Sequence, residues 1–429
     1  MQRHSYINSP PLKIPLNEQN LVHKWYRIIM GFDARLVKHL IDFLSIKRRK
    51  LVLDPFCGSG TTLVECKKNE IPSVGIDTNP VCVLASRVKT NWKVDPESVS
   101  ILLPPIVDKA IYLLNHNTFP KHEALKFLSD SGMINRGWIS AYKARRVLSL
   151  MRAFDAVCTS RAERDFFRLA LVSALVRDIA DIKFGPEVYC LSLPKRKPVF
   201  KSFLRAAQSM IDDLMKIRGE KSCDVEARVF LADSRKCDEV LSSAGIGSVD
   251  FIITSPPYPN EHDYTRCTRL ELIFLGLLHN NEQLRQLKRT MIRCNTKGIY
   301  ADDDDQILSE QYEQIRDIAL RLENKARSRD DGFSKLYAKM VREYFGGMAV
   351  HLKAAYRCLK SKGMCAYVVC DQQSLLGVYL DTPGIIKTIA TSPQVGFKLA
   401  DVSNWRTTRG SRGNRLLTEK ILIFSKPAK

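Results

Sequence analysis

The chain has 429 residues, room for roughly two to three domains with an ample core. Its 67 Lys and Arg outweigh 46 Asp and Glu for a formal net charge of +21, an excess that points to a polyanionic partner. No apolar run approaches the ~20 residues of a membrane span, and a polar start broken by Pro10, Pro11 and Pro15 has no signal-peptide core.

Taken in order, Leu51-Val52-Leu53-Asp54 predicts a short buried strand, Pro55-Phe56-Cys57-Gly58-Ser59-Gly60 a tight turn, and Thr61 to about Asn69 a helix. Gly58 and Gly60 permit positive φ and close approach of backbone to a ligand, while the helix start offers unpaired N–H groups to an anion. Ser73-Val74-Gly75-Ile76-Asp77 is a second strand, closed by an acid where nucleotide-binding βαβ units hold ribose hydroxyls. A mostly helical stretch follows from about Asp95 to Cys223, and the third strand, Ala227 to Asp233, also ends on an acid.

The apolar run Val249 to Thr254 then reaches Ser255-Pro256-Pro257-Tyr258. Two consecutive prolines remove two backbone donors and force a rigid extended corner with exposed carbonyls. A hydroxyl, carbonyls and a tyrosine face suit a planar base that carries an amino group. After a second interruption at about 260–332, Leu336 to Leu359 has helical spacing, and Lys362-Gly363 is expected to close that helix. Met364 to Asp371 and Glu419 to Ser425 supply the last strands. This alternation predicts an α/β fold with a doubly wound, mostly parallel sheet, largely helical insertions, and a ligand at the carboxyl ends of the strands.

The pair Asp54-Pro55-Phe56-Cys57-Gly58-Ser59-Gly60 and Thr254-Ser255-Pro256-Pro257-Tyr258 resembles the amino-group DNA methyltransferases, and its serine form resembles the cytosine-N4 branch. The resemblance implies a Rossmann-like methyltransferase fold with S-adenosylmethionine as cofactor. It puts the methionine part on Phe56, Cys57, Gly58 and Gly60, flanked by Asp54 and Thr61, the ribose on Asp77, and the adenine amino group on Asp233. Ser255, Pro256, Pro257 and Tyr258 inherit the target base, which must be flipped out of double-stranded DNA and methylated directly. A cognate restriction endonuclease is a further partner open to such an enzyme. An adenine-N6 enzyme, an RNA amino-group methyltransferase and a catalytically inert DNA-binding relative are the alternatives.

Three parts are expected: 1–94 with the cofactor turn, 95–224 as a helical insertion that is a candidate for DNA recognition, and 225–429 with the catalytic loop. The insertion lies before the third strand, and no separate recognition domain follows the last one, unlike the family's familiar layouts. Basic candidates for DNA contact are Lys143, Arg145 and Arg146, then Lys195, Arg196 and Lys197, and, in the second interruption, Arg289 and Arg293. Asp302 to Asp305 is expected to be a solvated loop and His262 a structural or phosphate-facing residue. Twelve cysteines without a Cys-x-x-Cys pair predict reduced thiols, no metal and a cytoplasmic location.

Overall fold

A computed structural model describes residues 21–28, 31–116, 119, 122–184, 188–195, 197–260, 262–409 and 416–428; Arg196 and the N-terminal prolines lie outside them. Its strands are β1 (Val52–Asp54), β2 (Ser73–Asp77), β3 (Ile182–Phe184), β4 (Val188–Cys190), β5 (Ala227–Leu231), β6 (Val249–Thr254), β7 (Leu359–Cys370), β8 (Lys398–Arg409) and β9 (Leu416–Ser425). Seven of them form one sheet in the order β5-β2-β1-β6-β7-β9-β8, while β3 and β4 pair as a separate hairpin. The pairs from β5 through β7 are parallel, and β9 runs antiparallel to both β7 and β8. Strand order reverses between β1 and β6, which opens a crevice beyond their carboxyl ends.

Local chemistry sets the helices that flank this crevice. Gly60, at φ 85°, precedes the helix Thr61–Lys68. Asn79 caps the helix Pro80–Thr90 by accepting from the Val81 amide, with Pro80 in the first turn where a missing N–H costs nothing. The helix Tyr337–Cys358 buries most of its length against one face of the sheet, with Tyr344, Phe345 and Leu352 fully enclosed.

The region between β2 and β5 contains the helices Pro96–Asn115, Glu123–Asp130, Ala141–Val157, Arg161–Ala174 and Val199–Ile217. They share one apolar core, in which Phe154, Phe166, Phe167 and Phe203 stack and tilt against one another. Leu270, Ile273 and Phe274 from the second interruption enter the same core, whereas Ile292, Ile315 and Leu322 from its later part pack on the sheet. The second interruption thus serves both bodies.

One expectation fails here, and one strand was not expected. The long helix stops at Cys358, and Lys362, at φ 63°, lies inside β7 rather than closing the helix. A Cβ on Gly363 would come within 2.9 Å of the Asp250 carbonyl oxygen, so this glycine is required by close approach to β6. Strand β8 has no apolar run in the sequence because it is an edge strand, with Leu399 and Val402 exposed on either side of Ala400 and Asp401.

Candidate active site

The carboxyl ends of β1 and β6 are tied together by one acid. Asp54 Oδ1 accepts from Thr254 Oγ1 at 2.6 Å and from the Phe56 amide at 3.1 Å. The two sequence motifs, 200 residues apart, therefore meet in one rigid corner. Burial raises the Asp54 pKa to about 6.

The glycine turn is held from the neighbouring helix by Ser86, whose hydroxyl donates to the Gly58 carbonyl at 2.8 Å. A Cβ on Gly60 would lie 2.9 Å from Ser86 Oγ, whereas a Cβ on Gly58 would meet only Ile28, at 4.0 Å. Gly58 thus faces open space. Asp77, at the end of β2, accepts from the Gly58 amide at 2.9 Å and from the Asn79 amide at 2.8 Å, and its pKa is also raised to about 6 by burial. These backbone hydrogen bonds hold the carboxylate in place at the edge of the cleft, which Asp77 lines.

That cleft encloses about 1230 Å³ of empty space, its mouth included, and runs from Asp77, Thr78 and Asn79 along Phe56 to Ser59 to the Ser255–Tyr258 corner. Asp54 and Thr61 also line it. Tyr258 is buried; its hydroxyl donates to Glu419 at 2.8 Å and lies 3.4 Å from Ser255 Oγ. Arg406 holds the other oxygen of Glu419 at 2.6 Å. Tyr344 donates to the Pro257 carbonyl at 2.9 Å, which stiffens the corner from beneath. Sequence reasoning missed Glu419, Arg406 and Tyr344. Nothing local marks them, because each acts from a strand or helix remote in sequence.

Asp233 does not line the cleft as expected: both its oxygens accept from the Arg235 guanidinium, at 2.7–3.1 Å, and the adjacent Ser234 lines the cleft. His351 Nδ1 donates to the Ser234 carbonyl (3.0 Å) and its Nε2 accepts from the Tyr367 hydroxyl (2.8 Å), and Phe56 packs edge-on against the ring. Burial lowers the His351 pKa to about 4, which keeps the ring neutral. His262 is buried beside Cys267, 3.3 Å from its sulfur.

The basic candidates divide by exposure. Lys143 is 12% exposed and spent on Asp181 at 2.7 Å, and Arg293 is 6% exposed in a two-point pair with Asp303 at 2.6 and 3.0 Å. These two are corrected from DNA contacts to internal ion pairs, since each would leave a buried acid unpaired on turning outward. Lys195 Nζ faces the carbonyls of Val176, Arg177 and Ile182. Lys197 pairs with Asp178 at 2.5 Å and Arg289 with Asp302 at 2.8 Å, both with half-open side chains. Arg145 is exposed, and Arg146 stacks on Tyr142. In the run Asp302–Asp305, Asp302 and Asp304 are exposed as expected of a solvated loop, but three of the acids pair, with Arg289, Arg293 and Arg235. No cluster of three or more potential metal ligands occurs, and no helix is long and apolar enough to cross a membrane, among the described residues.

The DNA methylase family (N6_N4_Mtase) matches residues 28–86, the segment that holds the glycine turn and Asp77. The Type II methyltransferase M.BsoBI of Geobacillus stearothermophilus is 26% identical over 66% of this chain, an alignment that spans 58% of that enzyme. M.AvaI of Nostoc sp. is 20% identical over the whole chain and 91% of its own length. Among solved structures, the rRNA methyltransferase aviRa from Streptomyces viridochromogenes covers 96% of this chain and 93% of its own, at 9% identity and a TM-score of 0.35, too remote to carry an argument. By its strand order the chain has a Rossmann-like methyltransferase fold, and by sequence it is similar to a DNA methylase family and to Type II methyltransferases, a likeness that implies S-adenosylmethionine as methyl donor.

Proposed function

We propose that the chain methylates the exocyclic N4 amino group of cytosine in duplex DNA at a specific site. The observation that carries this is the shared cleft: the Ser255–Tyr258 corner and the Phe56–Gly58 turn with Asp77 line one space. S-adenosylmethionine supplies an electrophilic methyl group on a sulfonium. The Asp77 carboxylate is suited to accept from ribose hydroxyls, and the Gly58 position, open where a side chain would intrude, leaves room for the donor along the turn.

An amino nitrogen conjugated with a pyrimidine ring has a poorly available lone pair. The Ser255 hydroxyl and the Pro256 carbonyl accept from its two hydrogens, which favours a tetrahedral nitrogen directed at the methyl group. The Tyr258 ring forms the platform for the flipped base, and the hydroxyl's bond to Glu419 fixes the ring angle. The amino proton turns acidic as nitrogen is alkylated and leaves to water, so a serine serves where a carboxylate is not required. The net charge of +21 supports a polyanionic substrate, with Arg145, Arg146, Lys197 and Arg289 as the outward-facing candidates.

The test is transfer of labelled methyl from S-adenosylmethionine to duplex DNA, with structured RNA of equal length as competitor. Label in DNA that is lost in Ser255→Ala supports the proposal. Label in RNA alone would redirect it to an RNA amino-group methyltransferase.

A further inference from the structure

The second interruption sends an arm, residues 288–298, across the cleft. Its Thr290, Met291, Ile292 and Asn295 line the space opposite the glycine turn, and Thr290 Oγ1 touches Thr78 Oγ1 just past Asp77. Asn295 is 8% exposed, and its Oδ1 is a buried acceptor without a partner in the protein. An orphan acceptor of that kind costs stability unless a ligand supplies the donor.

Charge holds the arm in place. Arg293 is clamped by Asp303, Lys288 by Asp263 at 2.9 Å, and Arg289 by Asp302. Arg235 bridges the system: it pairs with Asp233 and Asp305 and donates to the Arg289 carbonyl at 3.0 Å. The acidic run is itself seated in the long central helix. A Cβ on Gly346 would overlap the Asp305 carbonyl, and one on Gly347 would come within 3.0 Å of the Asp305 carboxylate. A glycine pair in the middle of a buried helix weakens that helix, and here it creates the notch that accepts the acidic segment.

We propose that residues 288–298 form an added wall of the cofactor pocket, latched shut by Asp302, Asp303 and Asp305, with Asn295 presenting its free acceptor to the bound donor. This rests on the pocket's holding S-adenosylmethionine. Asp303 and Asp302 are positioning residues: they act through Arg293 and Arg289 on the wall, not on the ligand.

The test uses S-adenosylhomocysteine as ligand, calorimetry for affinity, and trypsin cleavage within 285–297 with and without ligand. Saturating ligand should slow cleavage of the arm about tenfold or more in the wild type. Asp303→Asn should raise the Kd roughly tenfold, as expected if the closed arm falls to about a tenth of molecules, and should speed cleavage of the unliganded arm. Asp303→Glu should recover both. Asp302→Asn, at the exposed end of the latch, should fold normally and speed arm cleavage, so the idea stays testable if Asp303→Asn does not fold. Ligand binding with wild-type cleavage unchanged would overturn the arm while sparing the cofactor pocket. Absence of any ligand binding would overturn both.

Discussion

At Tyr258 the ring and the hydroxyl have separable duties. Base–aromatic stacking is typically worth about 1–3 kcal/mol, so Tyr258→Ala should raise the apparent KM for DNA by roughly ten- to a hundredfold with cofactor affinity unchanged. Tyr258→Phe keeps the ring face but severs the bond to Glu419, and should retain much of the activity at a cost of about 1 kcal/mol in stability. Ser255→Ala should instead lower kcat, as single-turnover kinetics would show. Asp77 adds a pH signature. Burial lifts its pKa from 3.8 to about 6, so the carboxylate proposed to accept ribose hydroxyls is lost as pH falls through 6, and cofactor affinity should fall with it. The same raised pKa means that the ionised acid costs the fold stability above pH 6, a cost relieved between pH 6 and 4. Asp54 titrates in the same range, so calorimetry across pH 5 to 8 should find the profile flattened, not abolished, in Asp77→Asn.

The elements that carry chemistry were the most legible. Strand, glycine turn and acid recur in the order that the sequence implies, because alternating burial and glycine punctuation are local signals. Gly58→Val tests the turn: the site has space for a Cβ, but the branched side chain enters the cleft and φ 50° is strained for it. Cofactor binding should be lost, with melting lowered by a few degrees at most, as calorimetry and thermal unfolding would show. What stayed hidden depends on long-range partners. Asp233 has the position of an adenine contact, yet Arg235, two residues on, takes both its oxygens. Asp302–Asp305 has the composition of a solvated loop, yet cations from Arg235 to Arg293 claim three of its acids. Edge strand β8 lacks the apolar run that betrays a central strand.

At the scale of the molecule, net charge forecasts a partner but not where it binds. The basic clusters looked alike in sequence and are not alike in space: Lys143 and Arg293 are internal struts, whereas Arg145 is exposed on the helix Ala141–Val157. Affinity for duplex DNA should fall steeply with salt, with a log–log slope of about −0.9 per phosphate neutralised. If Arg145 contacts the backbone, Arg145→Ala should flatten that slope by about one contact, and Lys143→Ala should leave the slope unchanged while it destabilises the helical body. Filter binding between 50 and 200 mM salt separates the two.

The most direct measurement is of the product. Duplex DNA incubated with the protein and S-adenosylmethionine, digested to nucleosides and analysed by mass spectrometry, should contain N4-methylcytosine, absent after treatment with Ser255→Ala. N6-methyladenine would overturn the choice of base and leave amino-group transfer standing. Finding 5-methylcytosine would contradict the mechanism, because carbon methylation needs a cysteine nucleophile and the corner Ser255-Pro256-Pro257-Tyr258 offers a serine.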